Sequence, residues 1–190
     1  LNTGPLPQGQ PVIAQAGGSS RGRRFAAKHA ETIVAQVKTP EAMKAYRDDV
    51  RRYMVEQGRN PNECKVLFTL TPILGEDQED AERRLERRLT YVKDNIEERL
   101  ANFAKVINVD FDQFNLDEPL PDDVTTNGHQ QILEDYRKFA AGLSIREAMA
   151  TFNLGLPELV GTADSVAGQM AEIMEHVGGD GFLISMPNVT

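Results

Sequence analysis

The chain has 190 residues, 29 acidic against 21 basic side chains and a formal net charge of −8. That length can bury a core of its own, and the acidic balance argues against nucleic-acid binding, which calls for a basic face. A single cysteine, Cys64, excludes an internal disulfide and a cysteine-rich zinc site. No apolar run reaches the ~20 residues of a membrane span, and no basic and apolar leader opens the chain, so a cytoplasmic protein is the default expectation. The first residue is Leu1 and the last, Thr190, follows an apparent strand, so both ends read as cut from something longer.

Residues 1–10 form a Pro/Gly-rich, irregular lead-in. Val12–Ala16 is a short apolar run between Pro11 and Gly17 and reads as a buried strand. Gly17 and Gly18 follow as a tight turn, then Ser19 and Ser20, then a helix from about Arg21 to Ala30 that buries Phe25, Ala26 and His29. Strand, Gly/Ser turn and helix together make an anion site. The free N–H groups of a first helical turn converge, the helix dipole favours negative charge, and glycine permits close approach. The same pattern also describes an ordinary strand-to-helix loop whose serine caps the helix. No Gly-Lys-Ser/Thr follows, so it is not a P-loop, and the glycine spacing is not that of a dinucleotide fingerprint. Arg21, Arg23 and Arg24 either assist an anion or sit in solvent, with Glu31 available to pair with Arg23.

Thr32–Gln36 is rich in β-branched residues and reads as a second strand. Thr39 caps a helix with Pro40 at its first position, and Met43, Tyr46, Val50, Tyr53 and Met54 recur at helical spacing up to Gly58. Lys65–Leu74 is nearly continuous in apolar character, as for a strand covered on both faces. One long helix is expected from Glu76 to Ile107, striped by Ala81, Leu85, Leu89, Val92, Ile96, Leu100, Phe103 and Ile107. On its surface Glu79–Arg83 and Asp80–Arg84 are spaced as i,i+4 pairs.

Val109–Asp123 alternates acids with hydrophobes, and its prolines forbid a regular element. It lacks the spacing and glycine of a calcium loop and reads as a covering loop or a solvated segment. Helices follow at Gln130–Ala141 and, capped by Ser144, at Ile145–Phe152. Gly155–Gly161 reads as a loop, Thr162 caps a helix ending at Gly178–Gly179, and Gly181–Met186 is the last strand. Four strands alternating with crossover helices imply an α/β fold with a parallel sheet, either doubly wound or half of a (β/α)₈ barrel. His29, His129 and His176 show no metal spacing, so no metal is assigned, and Cys64 reads as unreactive.

Four stretches in order carry a resemblance. They are Gln8-Gly-Gln-Pro-Val-Ile-Ala-Gln-Ala-Gly17 with Ser19, Gly22-Arg23 and Phe25-Ala-Ala-Lys-His-Ala-Glu31; Val109-Asp-Phe-Asp-Gln-Phe-Asn-Leu-Asp-Glu-Pro-Leu-Pro121; Leu159-Val-Gly-Thr-Ala-Asp-Ser-Val-Ala167; and Gly179-Asp-Gly-Phe182. As a set they resemble the nitrilotriacetate and dibenzothiophene-sulfone monooxygenase branch of the bacterial-luciferase-like flavin enzymes. The resemblance implies that residues 1–190 are the C-terminal half, about strands 5–8, of a TIM barrel, with an inserted helical and loop segment at about 108–160. It further implies a two-component monooxygenase that uses reduced FMN and O₂ to oxygenate a small organic substrate such as an aminopolycarboxylate, a sulfone or an alkane. A separate NAD(P)H-dependent flavin reductase would supply the reduced FMN, and a homo-oligomer is expected. Ser19 falls on the family's phosphate-binding serine, Ser20 is a weaker candidate, and Ala16 and Gly17 would add backbone contacts. Residues facing the flavin ring would lie mostly in the other half-barrel, so no catalytic residue is nominated and this half alone is expected to be inactive. Two alternatives remain: a non-catalytic helical assembly module, and a phosphate-ligand-binding α/β domain unrelated to flavin.

Overall fold

The computed structural model describes residues 4, 7–152 and 158–185. In chain order they form β1 (Ala14–Ala16), α1 (Ser20–His29), β2 (Thr32–Ala35), α2 (Pro40–Glu56), β3 (Lys65–Leu74), α3 (Gln78–Asp94), α4 (Ile96–Ile107), α5 (Gln130–Phe139), α6 (Ile145–Thr151), β4 (Glu158–Gly161), α7 (Ala163–Val177) and β5 (Gly181–Ile184). The sheet order is β1-β2-β3-β4, with β5 also on β3. The β1–β2, β2–β3 and β3–β5 pairs are parallel, with Ala14 opposite Thr32, Val34 opposite Leu67 and Phe68 opposite Phe182. The expected parallel α/β sheet is therefore present.

The described residues divide into two compact units. The first runs up to Pro72 and includes Glu158, Leu159 and 164–185. Its core follows from strand alternation. Ile33 and Ala35 of β2 and Val66 and Phe68 of β3 point to one sheet face, where they meet Ala26, Ala27 and Ala30 from the first helix and its cap and Met43, Tyr46, Val50, Tyr53 and Met54 from α2. Thr39 caps α2 as its position before Pro40 suggests, accepting from Ala42 N–H at 3.2 Å. Cys64 is buried in this core, and desolvation pushes its thiol up to about 11, which suppresses the reactive thiolate.

Two expectations fail here. β1 is an exposed edge strand of three residues, and Val12 lies outside it with 72% of its surface open. The helix α1 and its cap bury Ala26, Ala27 and Ala30, while Phe25 is 53% exposed and its ring lies tilted against that of the exposed His29 at 4.8 Å. Helical geometry puts residues 25 and 29 on one face, and the small alanines let the other face lie close against the sheet.

The second unit comprises 73–152 and Val160–Ala163. Its core is the set Ile96, Leu100, Phe103 and Ile107 with Phe111, Leu133, Tyr136, Ile145, Met149 and Phe152. The long helix expected from Glu76 to Ile107 is two helices. Asn95 ends α3 and opens α4, with its backbone N–H and its side-chain amide both donating to Tyr91 carbonyl, at 3.0 and 2.8 Å. Asn competes for backbone groups in this way. Both ion pairs expected on α3 form, Arg83–Glu79 at 3.1 Å and Arg84–Asp80 at 2.9 Å. Ser144 closes a reciprocal capping box with Glu147. The stretch expected to be a loop at Gly155–Gly161 holds β4 over its described part, Glu158–Gly161, with Gly75 N–H donating to Gly161 carbonyl at 3.1 Å. Four residues ending in glycine carry too little pattern to show as a strand, and the ten-residue β3 supplies the pairing edge. Gly155 itself, like Met186 at the expected end of β5, lies outside the described residues. Among the described residues no helix is long and apolar enough to cross a membrane.

Candidate functional site

The turn from Ala16 to Ser20 joins β1 to α1 in the first unit. Ser19 is the helix cap: its backbone is extended, its Oγ accepts from Gly22 N–H at 3.1 Å, and its carbonyl accepts from Arg23 N–H at 2.9 Å. The capping role read as an alternative is therefore present. It does not consume the site, because a serine hydroxyl that accepts one bond still has its own proton to donate. Gly22 lies so close to the turn that a Cβ on it would sit 3.2 Å from Ser19 Oγ and 3.4 Å from Gly17 Cα.

After these two bonds, the N–H groups of Gly18, Ser19, Ser20 and Arg21 have no acceptor among the described residues. They belong to four consecutive residues at and just before the N-terminus of α1, the positive end of the helix dipole. Ala16 ends β1, paired with Val34. Ser20 opens the helix as its first residue and is exposed. The structure thus brings Ala16, Gly17, Ser19 and Ser20 into one turn. Four N–H donors and a hydroxyl suit a phosphate monoester, whose oxygens are acceptors at neutral pH.

The arginines separate by role. Arg23 turns away from the helix end: its Nε donates to Gly18 carbonyl at 2.9 Å and its Nη1 to Asp49 at 2.8 Å. Its partner is Asp49 of α2 rather than Glu31, whose carboxylate accepts from Ile13 N–H at 3.0 Å. Arg24 lies over the Tyr53 ring at 5.0 Å, and Arg21 is exposed beside the turn. Asp49 is held below the usual carboxylate range by hydrogen bonding to Arg52 first, with the Arg23 charge and hydrogen bond adding to it.

Tyr46 is the residue that sequence reasoning missed at the site. Its helical spacing places it in the core, where it is 3% exposed, yet its hydroxyl donates to Gly17 carbonyl at 2.6 Å. Burial pushes that phenol up to about 12. Tyrosine rather than phenylalanine on a core stripe is the one sequence signal of a polar partner.

The family model described as luciferase-like monooxygenase matches residues 1–181. The chain belongs to this family. Dibenzothiophene-sulfone monooxygenase of Rhodococcus erythropolis is 31% identical over 195 residues, covering 96% of this chain and 43% of the relative. Nitrilotriacetate monooxygenase component A of Aminobacter aminovorans is 29% identical over 196 residues, covering 98% and 42%. A crystal structure of a riboflavin lyase with modified FMN and riboflavin superposes with a TM-score of 0.78 at 25% identity, covering 97% of this chain and 40% of that one. The chain therefore spans less than half the length of these relatives, and its parallel sheet corresponds to part of their barrel.

Proposed function

We propose that the chain is the C-terminal half-barrel of a two-component flavin monooxygenase and that the turn Ala16–Ser20 holds the phosphate of FMN. The observation that carries this reading is the set of N–H groups of Gly18–Arg21, without an acceptor among the described residues, beside the Ser19 hydroxyl, in a chain of this family. When bound, reduced FMN supplies the electrons that activate O₂. This half contributes the grip: Ser19 Oγ–H and the N–H groups donate to phosphate, and Ala16 and Gly17 shape the approach. Residues of the other half-barrel would face the flavin ring. A separate NAD(P)H-dependent flavin reductase supplies the cofactor, the substrate is a small organic molecule of the sulfone, aminopolycarboxylate or alkane kind, and the segment at about 108–160 is an insertion that covers it. The names of the dibenzothiophene-sulfone and nitrilotriacetate relatives, the latter a component A, support the substrate class and the two-component arrangement.

The test is a titration of the complete gene product with FMN and with riboflavin, which lacks the phosphate. Ser19→Ala is expected to weaken FMN about tenfold, the scale of a hydrogen bond to a charged group, and to leave riboflavin unchanged. The same substitution removes a helix cap, so a loss of ~1 kcal/mol in stability accompanies it. Unchanged FMN affinity would remove Ser19 from the site.

A second reading, an assembly module, is favoured by one observation: Val12, Leu183 and Ile184 of the first unit are all exposed. Light scattering decides it, since a monodisperse monomer opposes assembly.

A further inference from the structure

Building on the phosphate reading above, we infer that Tyr46 and Arg23 are positioning residues that set the orientation of two consecutive peptide units in the turn. Gly17 carbonyl is held by the Tyr46 hydroxyl at 2.6 Å, and Gly18 carbonyl by Arg23 Nε at 2.9 Å. A trans peptide is planar, with its C=O and N–H pointing in opposite directions. Fixing the carbonyl of Gly17 therefore turns the N–H of Gly18 away from Tyr46, and fixing that of Gly18 turns the N–H of Ser19 away from Arg23. The two oxygens that would repel an anion are drawn off, and the two hydrogens that attract it are presented.

The turn needs this help because of its own sequence. Glycine has no Cβ to select one side of φ/ψ space, so a Gly–Gly peptide unit flips at little cost. Around Gly18 there is open space: among the described residues no atom beyond its two chain neighbours lies within 4 Å of where a Cβ would be, so packing does not set its plane either. The donors come from outside the turn and are themselves held. Tyr46 is locked in the core of the first unit. The guanidinium of Arg23 is gripped by Asp49 at 2.8 Å and stacks 4.7 Å from the centre of the Tyr46 ring. Asp49 in turn is held by Arg52 at 2.8 Å. Arg23 thereby acts through the backbone rather than as a counter-ion. Lysine cannot replace it, since one ammonium cannot stack, reach the carbonyl and pair with the carboxylate as a planar fork does.

The experiment measures dissociation constants for FMN and riboflavin on the complete gene product, comparing the natural sequence with Tyr46→Phe and Arg23→Lys. Tyr46→Phe keeps the ring and deletes one neutral hydrogen bond. FMN is expected to weaken about fivefold, the worth of such a bond, with riboflavin unchanged. Arg23→Lys keeps the charge, and a similar selective loss is expected. It also stands as the independent variant should Tyr46→Phe fail to fold. Full retention of the FMN-over-riboflavin preference in both variants overturns positioning while leaving the phosphate reading intact. Equal weakening of both ligands assigns these residues to stability alone and also overturns it. A natural protein that prefers neither ligand overturns the phosphate reading and this inference together.

Discussion

Tyr46, Cys64 and Tyr136 are all buried in their neutral forms, and burial raises each pKa, to about 12, 11 and 12 respectively. A raised pKa favours the protonated group in the fold, so its contribution is fully present below the ordinary value and is lost as pH climbs through the folded one. The ordinary values are 9.0 for the thiol and 10.0 for the phenols. Melting temperature is therefore expected to hold up to about pH 9 and to fall steadily above it. Cys64→Ala is expected to delay the onset by removing the first group to ionise. A melting series in alkaline buffers checks both. Asp49 has the opposite sign: its lowered pKa gives stability that is present at neutral pH and lost on acidification. Tyr136 supplies a separate test. Its hydroxyl is fully buried and has no hydrogen-bond partner among the described residues, while its ring packs on Phe103 at 5.0 Å and on Phe152 at 5.3 Å. Tyr136→Phe keeps the ring contacts and deletes an unsatisfied group, so urea denaturation is expected to show unchanged or higher stability.

Among the elements, the turns discriminate most sharply between equivalent substitutions. A Cβ on Gly75, in the turn from β3 to α3, would lie 2.2 Å from Ala81 N and 2.7 Å from Asp77 carbonyl. Both are backbone atoms of the capped first turn, so neither can swing aside. Gly75→Ala is expected to cost more than ~2 kcal/mol, whereas Gly18→Ala, with open space around it, is expected to stay within ~0.5 kcal/mol. Paired chemical denaturation curves check the contrast. Elements with strong local signals were legible in advance. Thr39–Pro40 marked the start of α2, Gly178 the end of α7, and the acid-first spacing on α3 the pairs that form. The break at Asn95 was not, because an apolar stripe continues through it with only a small shift in phase, and one Asn does not outweigh it in a pattern count. β4 was hidden for a different reason: its pairing partner is β3, more than eighty residues back in the chain.

For the whole molecule, the relatives are more than twice as long as the stretch they share with this chain. Reading the gene on both sides of these 190 residues is expected to reveal further strand–helix units of the same barrel. The complete product is expected to bind FMN more tightly than residues 1–190 alone, which equilibrium dialysis of the two measures directly. Among the described residues, the turn Ala16–Ser20 lies within one compact unit, and Tyr46 and Arg23, which hold its carbonyls, belong to the same unit.

The α/β class, the alternation of most strands and helices, the place of the Gly–Ser turn and, through a set of ordered motifs, the family are legible in the amino-acid order. These depend on residue chemistry and short-range periodicity, which a linear reading contains. Packing in three dimensions sets the rest: Arg23 faces Asp49 instead of Glu31, Phe25 faces water, and Tyr46 reaches across from α2 to the carbonyl of Gly17. Each depends on the rotation of one helix against another, and residues 17 and 46 become neighbours only when α1 and α2 pack on the same sheet face.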